Sequence, residues 1–259
     1  NLAWFYENGK GTPQNLEMAY KLYAEGKNLG DNVSSFRLAC FYEDGNAAVL
    51  PNLPEAKSGY ENAAKEGNAA AMCKLAYLYE LGKGVSQDTN KATALFHLAA
   101  VNGNSEAMFR LGLCYKQGIV HKCSSEIFDE VRKSSRLQLG DFLSKYELCE
   151  KESKDLKKAE EMLQRSADLG NKEAIAELIS IYKNGVDGIP QDYKKMVAML
   201  QRSADLGDKE AIDELISIYK NGVDGVPQDY KKMVAMLQRS ADLGDKEAID
   251  ELISIYKNG

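Results

Sequence analysis

Apolar residues recur along most of the chain at intervals of three and four, which is the spacing of an amphipathic helix. In residues 208–222, Asp208 is placed to cap a first helix and Gly222 to end it, and the apolar set is Ala211, Ile212, Leu215, Ile216 and Tyr219. A Gly/Pro loop follows at residues 223–228. Asp229 is then placed to cap a second helix, whose apolar positions are Met233, Val234, Met236, Leu237 and Ala241. We call the two helices helix A and helix B, and together they predict a helical hairpin.

This hairpin is one copy of a repeat. Residues 171–207 and 208–244 are the same 37-residue segment with three substitutions, at Asn171/Asp208, Ala176/Asp213 and Ile189/Val226. The pattern Tyr-x-x-Gly recurs with spacings of 36, 37, 36, 67, 37 and 37 residues, at Tyr6, Tyr42, Tyr79, Tyr115, Tyr182, Tyr219 and Tyr256. A period of this length predicts an all-α solenoid, because neither helix of a hairpin can bury its apolar stripe unless neighbouring hairpins stack.

The spacing of 67 residues between Tyr115 and Tyr182 interrupts the period. We interpret it as a double step that contains a degenerate unit, because residues 119–156 lack the loop glycines and the Gly-Asn turn. The predicted organisation is N-terminal repeats at 1–118, a degenerate repeat at 119–158 and near-identical repeats at 159–259. The degenerate stretch is either a hinge of low local stability or a regular unit with an unusual sequence. We expect helix throughout, in an array that is truncated at both ends.

The repeat resembles the Sel-one-like repeats (SLR), a branch of the tetratricopeptide-like helical repeats. The match is clearest at Leu75, Ala76, Tyr79, Gly82, Gly84, Val85, Asp88, Lys91, Ala92, Phe96, Ala99, Ala100, Gly103 and Asn104. The resemblance implies a right-handed α/α solenoid, a tetratricopeptide-like superhelix of about seven units. It also implies a non-enzymatic scaffold that holds other proteins along its surface.

Composition narrows the classes of partner and the compartment. The chain carries 33 Lys and Arg against 39 Asp and Glu, a net charge of −6, and no run of 18 apolar residues. Nucleic acid requires clustered basic residues and a membrane span a long apolar run, so we expect no nucleic acid and no direct membrane insertion. The five cysteines, an odd number with uneven spacing, favour a reducing compartment over a disulfide framework. We therefore expect a cytoplasmic protein. The endoplasmic reticulum lumen and the bacterial envelope are the alternative locations.

Candidate catalytic and metal-binding residues are few. His97 lies in helix B of the best-matching repeat, where we expect a structural role. His121, Cys123 and Cys114 suggest a metal site but lack a second ligand pair and the CxxC spacing of structural zinc. The Gly-rich loop at residues 82–85 follows a helix, whereas a phosphate-binding loop follows a strand. We expect no catalytic residue, no metal and no cofactor.

Candidate binding residues occupy two positions of helix A, two residues before and two residues after its repeated Leu. In the N-terminal half these positions supply the candidate partner-binding residues Trp4, Phe36, Tyr77, Phe109 and Leu113; in the C-terminal half they hold Ser180, Ser217, Asp213 and Asp250. If helix A lines the concave side, the first set forms an apolar strip suited to a peptide or a helix. The alternative is that these side chains only pack between neighbouring helices.

Two functions follow from these observations. The first is a protein–protein interaction scaffold or adaptor that binds proteins or peptides on the concave face. The alternative is a structural component of a large periodic assembly, such as a filament or a cytoskeletal array, which near-identical repeats would suit.

Overall fold

The computed structural model describes residues 2–122, 139–147, 150, 151, 154–186 and 188–258. The chain divides into two compact units, Asn1–Asp155 and Leu156–Gly259. Both are built from helical hairpins, so the predicted all-α solenoid is confirmed. The predicted boundary between residues 158 and 159 lies within the helix Leu156–Asp168, with which the second unit begins.

In the first unit, helices A and B alternate along the chain. The elements are α1 (Leu2–Asn8), α2 (Leu16–Asn28), α3 (Asn32–Asp44), α4 (Leu53–Lys65), α5 (Ala69–Leu81), α6 (Thr89–Val101), α7 (Ser105–Gln117), β1 (His121–Lys122), α8 (Leu139–Glu147) and β2 (Glu150–Lys151). Helices α1, α3, α5 and α7 are helices A, and each contacts the helix B that follows or precedes it. The apolar stripes are therefore buried between consecutive helices.

The second unit continues the same pattern. Its elements are α9 (Leu156–Asp168), α10 (Lys172–Asn184), α11 (Tyr193–Asp205), α12 (Lys209–Asn221), α13 (Tyr230–Asp242) and α14 (Lys246–Asn258). The predicted caps are confirmed: Asp208 accepts hydrogen bonds from the amides of Glu210 at 3.1 Å and Ala211 at 3.5 Å, and Asp229 accepts one from Lys232 at 3.0 Å. Gly222 ends α12 with a φ of 73°, a left-handed conformation that favours glycine.

Close approach within a hairpin depends on small residues. Gly59 of α4 faces Ala39 of α3, and a Cβ atom built on Gly59 would lie 2.7 Å from the Cβ of Ala39. The tyrosine that ends helix A is buried at Tyr115, Tyr182 and Tyr219 and half-buried at Tyr6, Tyr42 and Tyr79. Tyr256 in α14 is 70% exposed, so this apolar position of the repeat is not buried in every copy.

A backbone hydrogen bond closes the loop of each hairpin. The amide of the residue before helix B donates to the carbonyl of the helix A tyrosine; the pairs are Asn15 to Tyr6 at 2.9 Å, Asn52 to Tyr42 at 2.7 Å, Asp88 to Tyr79 at 2.9 Å, Asp192 to Tyr182 at 2.8 Å and Asp229 to Tyr219 at 2.8 Å. Asp155 makes the same bond to Tyr115 at 3.1 Å. Residues 119–154 therefore lie between the two ends of one loop.

Part of the predicted degenerate repeat, and with it the hinge hypothesis, lies outside the described residues. Within the described part, β1 and β2 form a short antiparallel pair in which His121 lies opposite Lys151. The expectation of helix throughout is wrong at this point. Backbone groups outside a helix still require hydrogen-bond partners, and a two-residue ladder provides them here.

Candidate functional site

All five predicted binding residues are half-buried, and they lie on helices A of the first unit. The Trp4 ring meets Phe5 edge to face, with centroids 5.5 Å apart. The ammonium of Lys10 lies 5.0 Å from the centroid of the Trp4 ring. The Lys10 ammonium thus already covers one face of the Trp4 ring, which leaves less of the ring for a partner to contact.

The rings of Phe36 and Tyr77 pack against helix B of their own hairpins. Phe36 lies 5.9 Å from Tyr60 of α4, and Tyr77 lies 5.1 Å from Phe96 of α6, measured between ring centroids. Phe109 and Leu113 are half-buried on α7. These contacts support the interpretation that Phe36 and Tyr77 pack between neighbouring helices. Each side chain is also partly exposed, so its role in partner binding stays a prediction.

Charged residues of the next repeat surround Tyr77. Its hydroxyl donates a hydrogen bond to Glu106, and the guanidinium carbon of Arg110 lies 5.5 Å from its ring centroid. Arg110 also pairs with Glu80 of α5. Burial, together with the hydrogen bond to Glu106, raises the pKa of Tyr77 above its ordinary value. The predicted apolar strip is therefore an amphipathic surface, and the sequence analysis did not identify Glu80, Glu106 and Arg110 as members of it.

A second charged cluster lies one repeat earlier. Glu43 is only 9% exposed, and it accepts hydrogen bonds from the Tyr60 hydroxyl at 2.6 Å and from the Lys74 ammonium at 3.1 Å. Lys83 lies 3.4 Å from its other carboxylate oxygen. Burial alone would raise the pKa of Glu43, but the Tyr60 hydrogen bond and the two ammonium groups outweigh burial, and the pKa is lowered.

The equivalent positions of the second unit are polar and exposed. Ser180, Ser217, Asp213 and Asp250 all face solvent, as the sequence contrast between the two halves predicted. The ion pairs between successive helices A are present there with the charges reversed: Lys183 pairs with Glu214 at 2.7 Å, and Lys220 with Glu251 at 2.7 Å. The signal for these pairs was in the sequence, since the residue after each helix A tyrosine is Glu up to Glu80 and Lys from Lys116 onward.

The thiols of the described cysteines are poor nucleophiles. Burial raises the pKa of Cys73 to about 12 and that of Cys114 to about 11, and it also raises the pKa of Cys40. Such thiols stay protonated near neutral pH, whereas thiol chemistry requires the thiolate. His97 is half-buried in α6, with its ring centroid 6.2 Å from that of Tyr146.

The described residues contain neither a metal-binding cluster nor a membrane-spanning helix. No group of three or more His, Cys, Asp or Glu side chains there has the arrangement of a metal site. The metal set suggested by the sequence lies partly outside the described residues, since it includes Cys123. Among the described helices, none has the length and apolar character that crossing a membrane requires.

Comparison with known proteins bears on the fold and the family. Among curated proteins, the chain is 33% identical over 121 residues to Chitin synthase regulatory factor 1 of Schizosaccharomyces pombe, which is 46% of this chain and 26% of that protein. It is 32% identical over 103 residues to Protein sel-1 homolog 2 of Homo sapiens, which is 40% of this chain and 15% of that protein. The similarity thus spans about a quarter or less of these relatives' length.

Solved structures and a family model agree with the repeat. A crystal structure of a Sel1 repeat protein from Oxalobacter formigenes superposes with a TM-score of 0.67 and 26% identity, over 93% of this chain and 84% of that one. The model of the Sel1 repeat matches residues 1–31, 33–68, 69–104, 105–122, 139–171, 174–208 and 217–245. These matches cover most of the chain, which therefore belongs to the Sel1 repeat family.

Proposed function

We propose that this chain is a non-enzymatic scaffold or adaptor that binds protein or peptide partners on the concave face formed by helices A of its first unit. The observation that carries the proposal is the row of half-buried Trp4, Phe36, Tyr77, Phe109 and Leu113, at positions where the second unit exposes Ser and Asp. Two regulators of chitin synthase and a sel-1 homologue among the relatives accord with an adaptor role.

The surface around Tyr77 suits a peptide ligand. Its aromatic rings supply area for contact at low conformational cost, and Arg110, Glu106 and Glu80 supply charged hydrogen-bond partners beside them. A partner segment with an aromatic or aliphatic anchor and a flanking charge fits this arrangement. Burial keeps the Cys73 and Cys114 thiols protonated near neutral pH, which accords with a non-enzymatic role.

The test selects ligands for the full chain from a random peptide library and measures their affinity by fluorescence polarisation. Tyr77→Ala combined with Phe109→Ala should weaken binding about thirtyfold, since the truncation of an aromatic hot spot costs about 2 kcal/mol or more. The matched control is Ser180→Ala with Ser217→Ala, which changes the same row in the second unit and should leave affinity unaltered. Equal affinity for wild type and a folded Tyr77/Phe109 variant would refute the proposed site.

A structural role in a periodic assembly is the second candidate. The two near-identical repeats place equivalent ion pairs one repeat apart: Arg202 with Asp168 at 2.6 Å, and Arg239 with Asp205 at 2.6 Å. Such a surface would match a partner with the same period. In a sedimentation assay a structural component should pellet with its polymer, whereas an adaptor should stay in the supernatant.

Cytoplasmic localisation is part of the proposal and is supported by the odd number of cysteines in the chain. The described thiols Cys40, Cys73 and Cys114 are free. Fractionation of cells that express the full-length protein would test it, and recovery in the secretory or envelope fraction would contradict it.

A further inference from the structure

Helix α6 carries buried apolar residues on a face that is polar or exposed in the other described helices B. Leu98 is fully buried, and the residues at its position in the other helices B are Glu25, Asn62, Arg165, Arg202 and Arg239. Ala94 is also buried, whereas its equivalents are all exposed: Lys21, Ser58, Glu161, Ala198 and Ala235. From Ala92 to Ala100 every residue of α6 is buried except the half-buried His97, so this part of the helix is covered on all sides. The sequence of α6 therefore encodes a surface for an additional element beyond the regular stack.

Helix α8 is the described element that packs on this part of the unit. It contacts α6 and also α4, the helix B of the preceding repeat. Leu139, Phe142 and Tyr146 of α8 are buried, and they are spaced as one face of a helix, while Gly140 and Ser144 are exposed. The ring of Tyr146 lies 6.2 Å from that of His97, at right angles to it. An amphipathic helix seated on an apolar helical surface is a common mode of peptide recognition.

Helix α8 lies in a segment that is inserted within a loop. Its contact with α6 is therefore separate from the contacts that hold the repeat stack together. The hydrogen bond from Asp155 to Tyr115 closes the loop of the fourth repeat as in the other hairpins, so α8 belongs to an insertion within that loop. Gly118 and Lys154 sit against each other at the two ends of the insertion, in the way that Gly82 and Gln87 do in a loop without one. Departure of α8 would therefore leave this bond in place.

The second unit has a groove at the corresponding place, between its helices B α9 and α11. Between α9 and α11 lies an open cavity of about 490 Å³, lined in part by Glu160, Glu161, Arg165 and Lys195. Glu160 is engaged there by the Tyr182 hydroxyl at 2.7 Å and by Lys195 at 2.8 Å. At the positions of Ala94 and Leu98, α9 places Glu161 and Arg165 in this groove, so the two apolar residues of α6 have charged equivalents there.

We infer that the apolar face of α6, together with the adjoining side of α4, is a helix-binding site that α8 occupies in cis. The partner is an amphipathic helix of another protein, with large apolar residues at the spacing of Leu139, Phe142 and Tyr146. Such a partner competes with α8 for this site, so it binds only if its affinity is high enough to displace α8. This site is separate from the row that contains Tyr77 and Phe109, and it does not depend on the function proposed for that row.

The test uses the full chain and a fluorescein-labelled peptide of residues 139–147, held helical by a hydrocarbon bridge between positions 140 and 144. Phe142→Gln with Tyr146→Gln empties the site, and this variant should bind the peptide at least tenfold more tightly than wild type. Adding Leu98→Arg places at this position the arginine found at Arg202 and Arg239. This third substitution should reverse the gain in affinity for the peptide. Tyr77→Ala with Phe109→Ala should not alter peptide binding, which separates this site from the proposed scaffold surface.

Three results would overturn the inference. Equal affinity of wild type and the emptied variant would show that α8 does not compete for the site. Failure of a folded emptied variant to bind the peptide would show that the face does not accept a helix in trans. Loss of the helical circular dichroism signal in the emptied variant would show that α8 is part of the folding core and is not displaceable.

Discussion

Lys183 and Glu214 form an ion pair of 2.7 Å between successive helices A, and the same two positions of the first unit carry the opposite charges. There Glu43 pairs with Lys74 at 3.1 Å. The described pairs between helices A thus run from Glu to Lys or Arg in the first unit and from Lys to Glu in the second. A repeat of one kind placed next to a repeat of the other kind would bring like charges together. The ladder therefore favours stacking among repeats of the same kind, at a small energy per pair.

The first prediction concerns this ladder. Lys183→Glu should lower the free energy of unfolding by less than about 1 kcal/mol, because the pair is largely solvated. Adding Glu214→Lys should restore the loss, since the pair is re-formed with reversed charges. Urea unfolding of the four chains of the double-mutant cycle measures the coupling, and Lys231→Glu, at an exposed position of α13, serves as the charge control. An additive double variant would show that the two side chains do not interact.

The second prediction compares one tyrosine position in two repeats. Tyr219 is 4% exposed and Tyr256 is 70% exposed. Tyr219→Ala should cost about 3 to 5 kcal/mol, the usual range for the truncation of a buried aromatic side chain. Tyr256→Ala should cost less than about 0.5 kcal/mol, as expected for a surface change. Urea titration followed by circular dichroism measures both, and similar losses would mean that the two rings have similar surroundings.

The third prediction concerns the dependence of stability on pH. The pKa of Glu43 is lower in the folded chain than in the unfolded one, so its contribution is present above about pH 4.5 and is lost as pH falls through the folded value. Glu43→Gln should therefore lower the free energy of unfolding at pH 7 by about 1 to 3 kcal/mol, the range for hydrogen bonds to a charged group. The difference from wild type should shrink toward pH 3. A difference that is constant from pH 7 to pH 3 would contradict the ionic contribution.

The fourth prediction compares two helical glycines. Gly59→Ala should destabilise the first unit by about 1 to 3 kcal/mol, because the new methyl group would overlap Ala39 and force α3 and α4 apart. At Gly140 in α8, a Cβ atom would meet nothing within 4 Å. Gly140→Ala should therefore be neutral or slightly stabilising, because alanine favours helix. Thermal unfolding of both variants provides the measurement, and a stabilised Gly59 variant would show that the helices have room to move.

The hairpins were predictable from the sequence because the forces that define them act over a few residues. The cap residues Asp208 and Asp229, the left-handed Gly222 and the apolar spacing of helix A all depend on neighbours within one or two helical turns. Repetition then multiplied each local signal. The burial of Tyr182 and Tyr219 followed from the same pattern, since every internal helix A has a helix B beside it.

The candidate site was predictable only in part. Trp4, Phe36, Tyr77, Phe109 and Leu113 occupy two repeat positions of helix A that the sequence singled out, but the charged neighbours of Tyr77 come from the next repeat and required the stacked structure to be seen. The unusual face of α6 was visible in the sequence as Leu98 among the Glu, Asn and Arg of other repeats. Comparison of all helices B position by position would have revealed it.

By itself, the sequence determined the hairpin, its period, its caps and the contrast between the two halves, because these depend on short-range periodicity. The tertiary structure decided which apolar residues are covered and by what. Leu98 is buried although its equivalents are polar or charged, and α8, which packs against its helix, begins some forty residues further along the chain. Burial depends on contacts between segments that are distant in sequence, and a local pattern of apolar residues does not specify those contacts.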